Sequence, residues 1–315
     1  MASATQVDTV LYILSPSYSG STLLTFLLAR HPEIATVGEL KAATVGADTE
    51  YRCSCGVLLH ACSFWEGIAN AMHARGGEFS IVNFGTHFRA SGVLFRCIIN
   101  AGVRGGAWPV LSDSIICRVP SYRRALADIV RQNVLMMEAI CQLQRGRIFL
   151  DASKDPERLR VLRQHCGKRI KAIRLLRDGR AVAHSYMKHY RVSMAVAGRE
   201  VARTMAACDR VMDGIASGDK LTLRYEELCS DPETALQRIY SLASLEPVAE
   251  GGRRSPPDLH ILGNVMRLGN TNSIRLDEKW RSELSNKDLD SFQQIAGQLN
   301  SGYGYTQGAR TAGAE

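Results

Sequence analysis

Residues 7–24 read VDTVLYILSPSYSGSTLL, and this stretch decides the fold. Val7–Leu14 is an apolar run suited to a buried strand. Small residues follow from Ser15 to Ser21. A second apolar run, Leu23–Ala29, predicts a helix that Pro32 would end. Strand, small-residue turn and helix N-terminus therefore fall in one short window. Such a turn aims several backbone N–H groups at one point, and the helix dipole adds partial positive charge there, so the window reads as an anion pocket. It is not a Walker A loop. The pattern G-x-x-x-x-G-K-S/T requires glycine at position 15 and lysine at position 21, and both positions carry serine. The cradle thus lacks the cation that usually accompanies it.

The chain has 315 residues, enough to bury a full core. With 45% hydrophobic and 22% charged residues it reads as a soluble globular protein. No apolar run approaches the ~20 residues of a membrane helix. The N-terminus has neither a basic segment nor an apolar core long enough for a secretory signal, so a cytoplasmic location is expected. Nine scattered cysteines fit reduced thiols. The net charge of +8 suits an anionic partner: nucleic acid, a membrane surface or a phosphorylated small molecule. The densest basic stretch, Arg158–Arg180, interleaves arginines with apolar residues. That favours a local anion site over a nucleic-acid track, and no nucleic-acid partner is assigned.

Outward from the opening stretch, strands and helices alternate. Strands are expected at Val7–Leu14, Val110–Asp113, Arg147–Asp151, Lys171–Leu176 and Lys220–Arg224. Helices are expected at Ser21–Arg30, Tyr122–Gln144, Pro156–His165, Gly179–His189, Val196–Ala216, Glu233–Ser244 and Asp277–Leu299. Such alternation implies an α/β fold with a parallel sheet flanked by helices, its ligands at the carboxyl ends of the strands. Two regions break the pattern. Residues 42–106 are Gly-rich and read as an inserted lid, and Glu250–Ser273 reads as a long loop. Trp65, Phe84, Phe88, Phe95 and Trp108 in or beside the insertion serve either the core or a substrate wall.

Three further constellations carry chemistry. In IRLLRDGRAVAHSYMKH (173–189) a strand ends at Arg177-Asp178-Gly179-Arg180, and Ser185 lies about two turns into the next helix. An arginine and a serine so placed can grip one phosphate, the arginine through bidentate donors. In FLDASKDPERL (149–159) a strand delivers Asp151, Ser153 and Lys154 to a turn before a helix opened by Pro156. Lys154 can supply the charge that the first loop lacks. In VGEL (37–40), Glu39 is a candidate general base.

Taken together and in this order, these motifs resemble the sulfotransferases that use 3′-phosphoadenosine 5′-phosphosulfate (PAPS). The first family motif resembles P-K/R-S-G-S/T-T-x-L, here Pro16–Leu24 in looser form. The second resembles R-D-x-R-x-x-x-x-S, here Arg177 to Ser185. The S-K-D-P turn (Ser153–Pro156) and the G-E loop after H-P (Gly38-Glu39 after His31-Pro32) are similar to those of the bacterial branch and of the tyrosyl-protein sulfotransferases. The resemblance runs from about Val7 to Tyr305. It implies a P-loop NTPase-like fold in a single domain over 1–305, with 42–106 as a lid or acceptor-side insertion; the tail 306–315 reads as disordered.

By the same resemblance, Tyr18, Ser19, Gly20, Ser21 and Thr22 would hold the 5′-phosphosulfate, and Arg177 and Ser185 the 3′-phosphate. Glu39 would be the general base, and Lys154 would stabilise the bridging oxygen. Tyr225 and the late residues Arg267, Ser273 and Arg275 would complete the cofactor site. PAPS would be the co-substrate, with no metal required. The acceptor is left open among small molecules, carbohydrates, lipids and peptides.

One departure stands out. Tyr18 occupies the place of the family's usual Lys or Arg, and a phenol carries no positive charge at neutral pH. One alternative follows, a nucleotide-binding relative that no longer transfers; a P-loop kinase is a second alternative, against which the missing Walker lysine stands and for which Asp151 is the one candidate magnesium carboxylate. Separately, Cys53, Cys55, His60 and Cys62 crowd into CSCGVLLHAC. C-x-C is shorter than the usual zinc pair. Reduced thiols, a local disulfide and structural zinc all stay open, and no metal ligand is assigned.

Overall fold

The structure, a computed structural model, describes residues 7–41, 47–88, 92–255, 258–263, 268 and 274–306. Arg267, Ser273 and the tail 307–315 lie outside the described residues. Five strands are formed: β1 (Thr9–Leu14), β2 (Ile34–Ala35), β3 (Ile148–Asp151), β4 (Arg169–Leu176) and β5 (Lys220–Arg224). They make one all-parallel sheet in the order β2-β3-β1-β4-β5. The central strand β1 pairs with β3 on one side, Val10 opposite Phe149, and with β4 on the other, Val10 opposite Ile170. The chain leaves β1 toward β2 but passes from β3 across to β4. The strand order therefore reverses beside β1, where α/β sheets open a crevice at their carboxyl ends.

The helices are α1 (Ser21–Ala29), α2 (Ser63–Ala74), α3 (Val93–Ala101), α4 (Trp108–Arg118), α5 (Pro120–Gln144), α6 (Pro156–His165), α7 (Gly179–Tyr190), α8 (Met194–Asp213), α9 (Tyr225–Ser230), α10 (Pro232–Ala243), α11 (Trp280–Glu283) and α12 (Asn286–Gly302). Period-two alternation along β1 sorts them. Val10, Tyr12 and Leu14 face a core shared with Trp65, Phe84, Phe95 and Phe149, whereas Leu11 and Ile13 face α1, α9 and α10. Both faces of the sheet are thus covered, the arrangement expected of a parallel sheet. Burying each large apolar side chain of these clusters contributes about 1.5–3 kcal/mol.

Several expectations are corrected. Val110–Asp113 is not a strand but the middle of α4, and Pro109 stands at the start of that helix, where its missing N–H is harmless. A four-residue apolar run does not distinguish the two states. The expected helix Asp277–Leu299 breaks in two, because Ser285 caps α12 by accepting from the Asp288 N–H while Asp288 reaches back to the Ser285 N–H. The two-residue β2 was not anticipated. Trp65, Phe84, Phe88 and Phe95 are core residues, while Trp108 is 47% exposed, with Arg104 over its ring.

The basic stretch Arg158–Arg180 is largely internal. Arg158 is buried against Asp151, Arg160 pairs with Asp113, and Arg174 pairs with Asp209. No helix among the described residues is long and apolar enough to cross a membrane.

Candidate active site

Two strand–turn–helix units on neighbouring strands build the site. After β1 the chain turns at Tyr18 and Gly20, both with positive φ (65° and 86°). Gly20 is required here: a Cβ would stand 2.2 Å from the Tyr225 ring, and φ is left-handed. It precedes α1, whose first turn has no acidic residue and no side-chain cap, so its leading N–H groups are not satisfied by the usual capping oxygen. Behind the turn, the hydroxyls of Ser15 and Ser19 are buried without a partner among the described residues. Ser19 does not line the cavity described below, whereas Tyr18, Gly20, Ser21 and Thr22 do.

The second unit is β4–α7. Asp178 caps α7, accepting from the Arg180 N–H at 2.9 Å, and Asn300 Oδ1 accepts from the Gly179 N–H at 2.7 Å. Arg180 pairs with Asp178 at 2.6 Å and stacks 4.5 Å from the Trp280 ring centre, so it braces the turn. Arg177 faces the other way. It donates to the Tyr18 carbonyl (2.8 Å), to the Asp277 carbonyl (2.8 Å) and to the Asp277 carboxylate (3.2 Å), and it lies 4.6 Å from the centre of the Tyr225 ring. Arg177 thereby ties the β1 turn to the β4 turn. The Ser185 hydroxyl donates back to the Ala181 carbonyl at 3.0 Å, one turn earlier.

Tyr225, first residue of α9 after β5, lays its ring across Gly20 and donates from its hydroxyl to the Arg275 carbonyl at 3.3 Å. Burial first, then the neighbouring Cys229 thiol, pushes its phenol up to about 12. Tyr18 is also held neutral, for burial and the nearby Tyr190 raise its phenol well above the ordinary tyrosine value. Its ring packs against Tyr186 and His189 of α7. The position that the family resemblance would fill with a cation therefore joins an aromatic cluster.

The cation enters from β3. Lys154 has positive φ (64°) in the turn after this strand and pairs with Glu39. Glu39 is positioned from below: the Gly38 N–H donates to Thr36 Oγ1 (2.9 Å), the Gly38 carbonyl accepts from the Ala152 N–H (3.0 Å), and the Val37 carbonyl accepts from the Leu262 N–H (2.7 Å). Asp155 caps α6 through the Glu157 and Arg158 N–H groups and pairs with Lys41 at 3.2 Å. Asp151 is fully buried, one oxygen taken by Arg158 Nε at 2.8 Å and the other by the Ser153 N–H at 2.9 Å. Asp151 is thus a structural anchor and does not offer the magnesium carboxylate that a kinase needs.

Two cavities meet at this pair. The larger, about 750 Å³, is lined by Tyr18–Leu23 apart from Ser19, by Arg177, Ser185, Tyr225, Arg275 and Asp277, and by Asp48, Glu50, Tyr51 and Arg52 of the insertion. The second, about 490 Å³, is lined by Ser15, Lys41, Arg96, Asn100, Tyr186, Glu200, Arg203 and Thr204 among others. Ser17, Glu39 and Lys154 line both. Residues of the segment 42–106, expected as a lid or acceptor-side insertion, line both cavities. Asp48–Arg52 and Asp277 carry no motif in the sequence. Their places become visible only once the chain has folded around the crevice.

Among solved structures, the chain shares the fold of two sulfotransferase domains. One, from the Synechococcus PCC 7002 olefin synthase, is 19% identical, with 96% of this chain and 97% of that one covered at a TM-score of 0.54. The other, from the curacin biosynthetic pathway, is 17% identical, with 93% and 98% covered at a TM-score of 0.50. No protein-family model and no curated protein matches the chain.

Proposed function

We propose that the protein is a PAPS-dependent sulfotransferase, the larger cavity receiving the nucleotide and the second the acceptor. One observation carries this reading: the anion turn of the larger cavity and the polar second cavity meet at Glu39 and Lys154. A group transfer between two bound molecules needs a base and a cation at such a junction.

The residues suit the nucleotide. The turn's amides and the hydroxyls of Ser21 and Thr22 would receive the phosphosulfate, and Arg177 and Ser185 the 3′-phosphate. In the step itself, Glu39 takes the proton of an acceptor hydroxyl or amine as that atom bonds to sulfur. The bond from sulfur to the bridging oxygen breaks, and that oxygen leaves on the bisphosphate. Lys154 and the loop amides face the charge that develops there. For a loose, in-line transfer, positioning and charge neutralisation supply most of the catalysis.

On this reading the acceptor carries hydroxyls. Ion pairs of Lys41 with Asp155 and of Arg203 with Glu200 stand in the wall of the second cavity. They offer hydrogen-bond donors and acceptors beside the apolar Val103, Val182 and Val201.

Tyr18 favours a second reading, a nucleotide binder without transfer, because a neutral ring packed against Tyr186 and His189 lines the cavity where the resemblance expects a cation. Binding and turnover separate the two. 3′,5′-Bisphosphoadenosine is expected to raise the melting temperature more than AMP does. Stabilisation by ATP with magnesium but not by the bisphosphate would overturn the assignment. Labelled sulfate moving from PAPS to a polyhydroxylated acceptor supports the transferase, and a Glu39→Ala protein with undiminished transfer removes Glu39 as base. Tight bisphosphate binding with no transfer to any acceptor class supports the binder.

A further inference from the structure

The structure brings four ligand atoms together away from the junction of the two cavities: the sulfurs of Cys53, Cys55 and Cys62 and Nδ1 of His260, all within 4.8 Å of one another. From these we infer a Cys₃His structural zinc site that clamps the insertion onto the segment 258–263. This inference is independent of the reaction assigned above.

The spacing fits the metal. Tetrahedral zinc, with Zn–S of about 2.3 Å and Zn–N of about 2.0 Å, holds sulfurs ~3.8 Å apart and sulfur and nitrogen ~3.5 Å apart. The Cys55 and Cys62 sulfurs lie 3.8 Å apart, and His260 Nδ1 is 3.6 Å from the Cys53 sulfur and 3.5 Å from that of Cys62. The short C-x-C, awkward as half of a two-pair site, works because the other two ligands come from elsewhere. His60, the histidine nearest in sequence, is exposed and outside the group.

The backbone is shaped for the cluster. The Cys53 N–H donates to the Val57 carbonyl and the Gly56 N–H to the Cys53 carbonyl, each at 2.9 Å, closing a tight knuckle in which Gly56 takes a positive φ of 86°. Ser54, between two of the cysteines, donates to the Leu259 carbonyl (2.6 Å) and accepts from the Ile261 N–H (2.7 Å). Both neighbours of His260 are thus stitched to the cysteine turn. The imidazole is fixed by stacking on Phe64, ring centres 4.3 Å apart and planes 3° off parallel. Such outer contacts orient metal-bound histidines.

The clamp has a place to act. Tyr51 and Arg52, just before the knuckle, line the larger cavity, and Gly263 beyond His260 exchanges hydrogen bonds with the Tyr51 hydroxyl (3.0 and 3.2 Å). The adjoining Leu262 pairs with Gly38, next to Glu39. Zinc would hold this wall and the Glu39 loop in register, binding as the three thiols release their protons.

The test uses the full chain purified without a histidine tag from zinc-supplemented medium. Elemental analysis is expected to give about one zinc per chain. Cobalt exchanged into the site should show the visible bands of tetrahedral thiolate coordination. Cys62→Ser and His260→Ala should lower occupancy at least about tenfold, whereas His60→Ala should leave it unchanged. His260→Cys, which keeps four ligands, should retain metal with a shifted cobalt spectrum, and this outcome guards against variants that merely misfold. The inference is overturned if reduced wild-type protein takes up neither zinc nor cobalt. Loss of metal in His60→Ala with retention in His260→Ala also overturns it, as does a Cys55–Cys62 disulfide in protein isolated anaerobically.

Discussion

The turns after β1 and after β4 share one plan, a strand leading through a glycine into a helix, yet they are finished in opposite ways. The β4 turn is self-sufficient: Asp178 caps its helix, Asn300 takes the Gly179 N–H, and Arg180 is held by Asp178 and Trp280. The β1 turn is left open, with an uncapped helix and two buried serine hydroxyls without partners among the described residues. What is open toward the crevice is the first turn of α1, whose leading N–H groups meet no capping oxygen beside Tyr18, Gly20, Ser21 and Thr22. One turn is a rigid arm that presents Arg177; the other is the cradle that the arm reaches across to hold.

Gly20→Ala breaks the cradle and carries the largest expected effect. The added methyl meets the Tyr225 ring, and left-handed φ adds strain, together about 3 kcal/mol. The denaturation midpoint should fall, and bisphosphate binding should be lost even where the protein remains folded. Adding Tyr225→Ala should restore the packing part of the loss but not the backbone part.

The arm is tested by its two arginines. Arg177→Ala is expected to weaken binding of 3′,5′-bisphosphoadenosine about a hundredfold, since the tie to the Tyr18 carbonyl and the charged donor proposed for the 3′-phosphate are both removed. Arg180→Ala should cost stability, about 1 kcal/mol, with far less effect on affinity. Equal losses of affinity in calorimetry would erase the division of labour between them.

Tyr18→Lys returns a cation to the cradle. If transfer is limited by charge at the departing oxygen, its rate should rise about tenfold or more with little change in nucleotide affinity. A rate left unchanged would show that Lys154 and the loop amides already suffice. The aromatic packing of Tyr18 against Tyr186 and His189 sets the counterweight, a modest loss of stability readable in the same preparation.

Much of this was legible in the sequence because its signals are local. The apolar run into SPSYSGST, the Asp155-Pro156 helix start and the RDGR turn each lie within a few residues of what they form, and the strand–helix alternation gave the α/β class. What stayed hidden depends on distance along the chain. His260 meets Cys62 across 198 residues, and Asp277 meets Arg177 across 100, so no periodicity or spacing announces either. Asp151 reads as a candidate metal carboxylate, and Arg158 as part of an anion-binding stretch, until the core closes over both and pairs them. Arg267 and Ser273 fall outside the described residues.

Asp277 gives the smallest and most discriminating test. Burial alone would raise its carboxyl, but the hydrogen bond and charge of Arg177, with help from Lys279, outweigh burial and hold it below the usual carboxylate value. A carboxylate with a lowered folded value stabilises the fold above its ordinary value of about 3.9, and that contribution is lost as pH falls through the lowered one. At neutral pH Asp277 is therefore ionised and would compete for Arg177 with the 3′-phosphate proposed to bind there. Asp277→Asn keeps the backbone carbonyl that also holds Arg177 and removes the competing charge. Bisphosphate affinity should rise a few-fold at pH 7. The gap from the wild type should persist through pH 5 and close only below the ordinary carboxylate range. Weaker binding in the variant would reverse the assignment, making Asp277 the residue that positions Arg177 for the ligand and not the one that stands in for it.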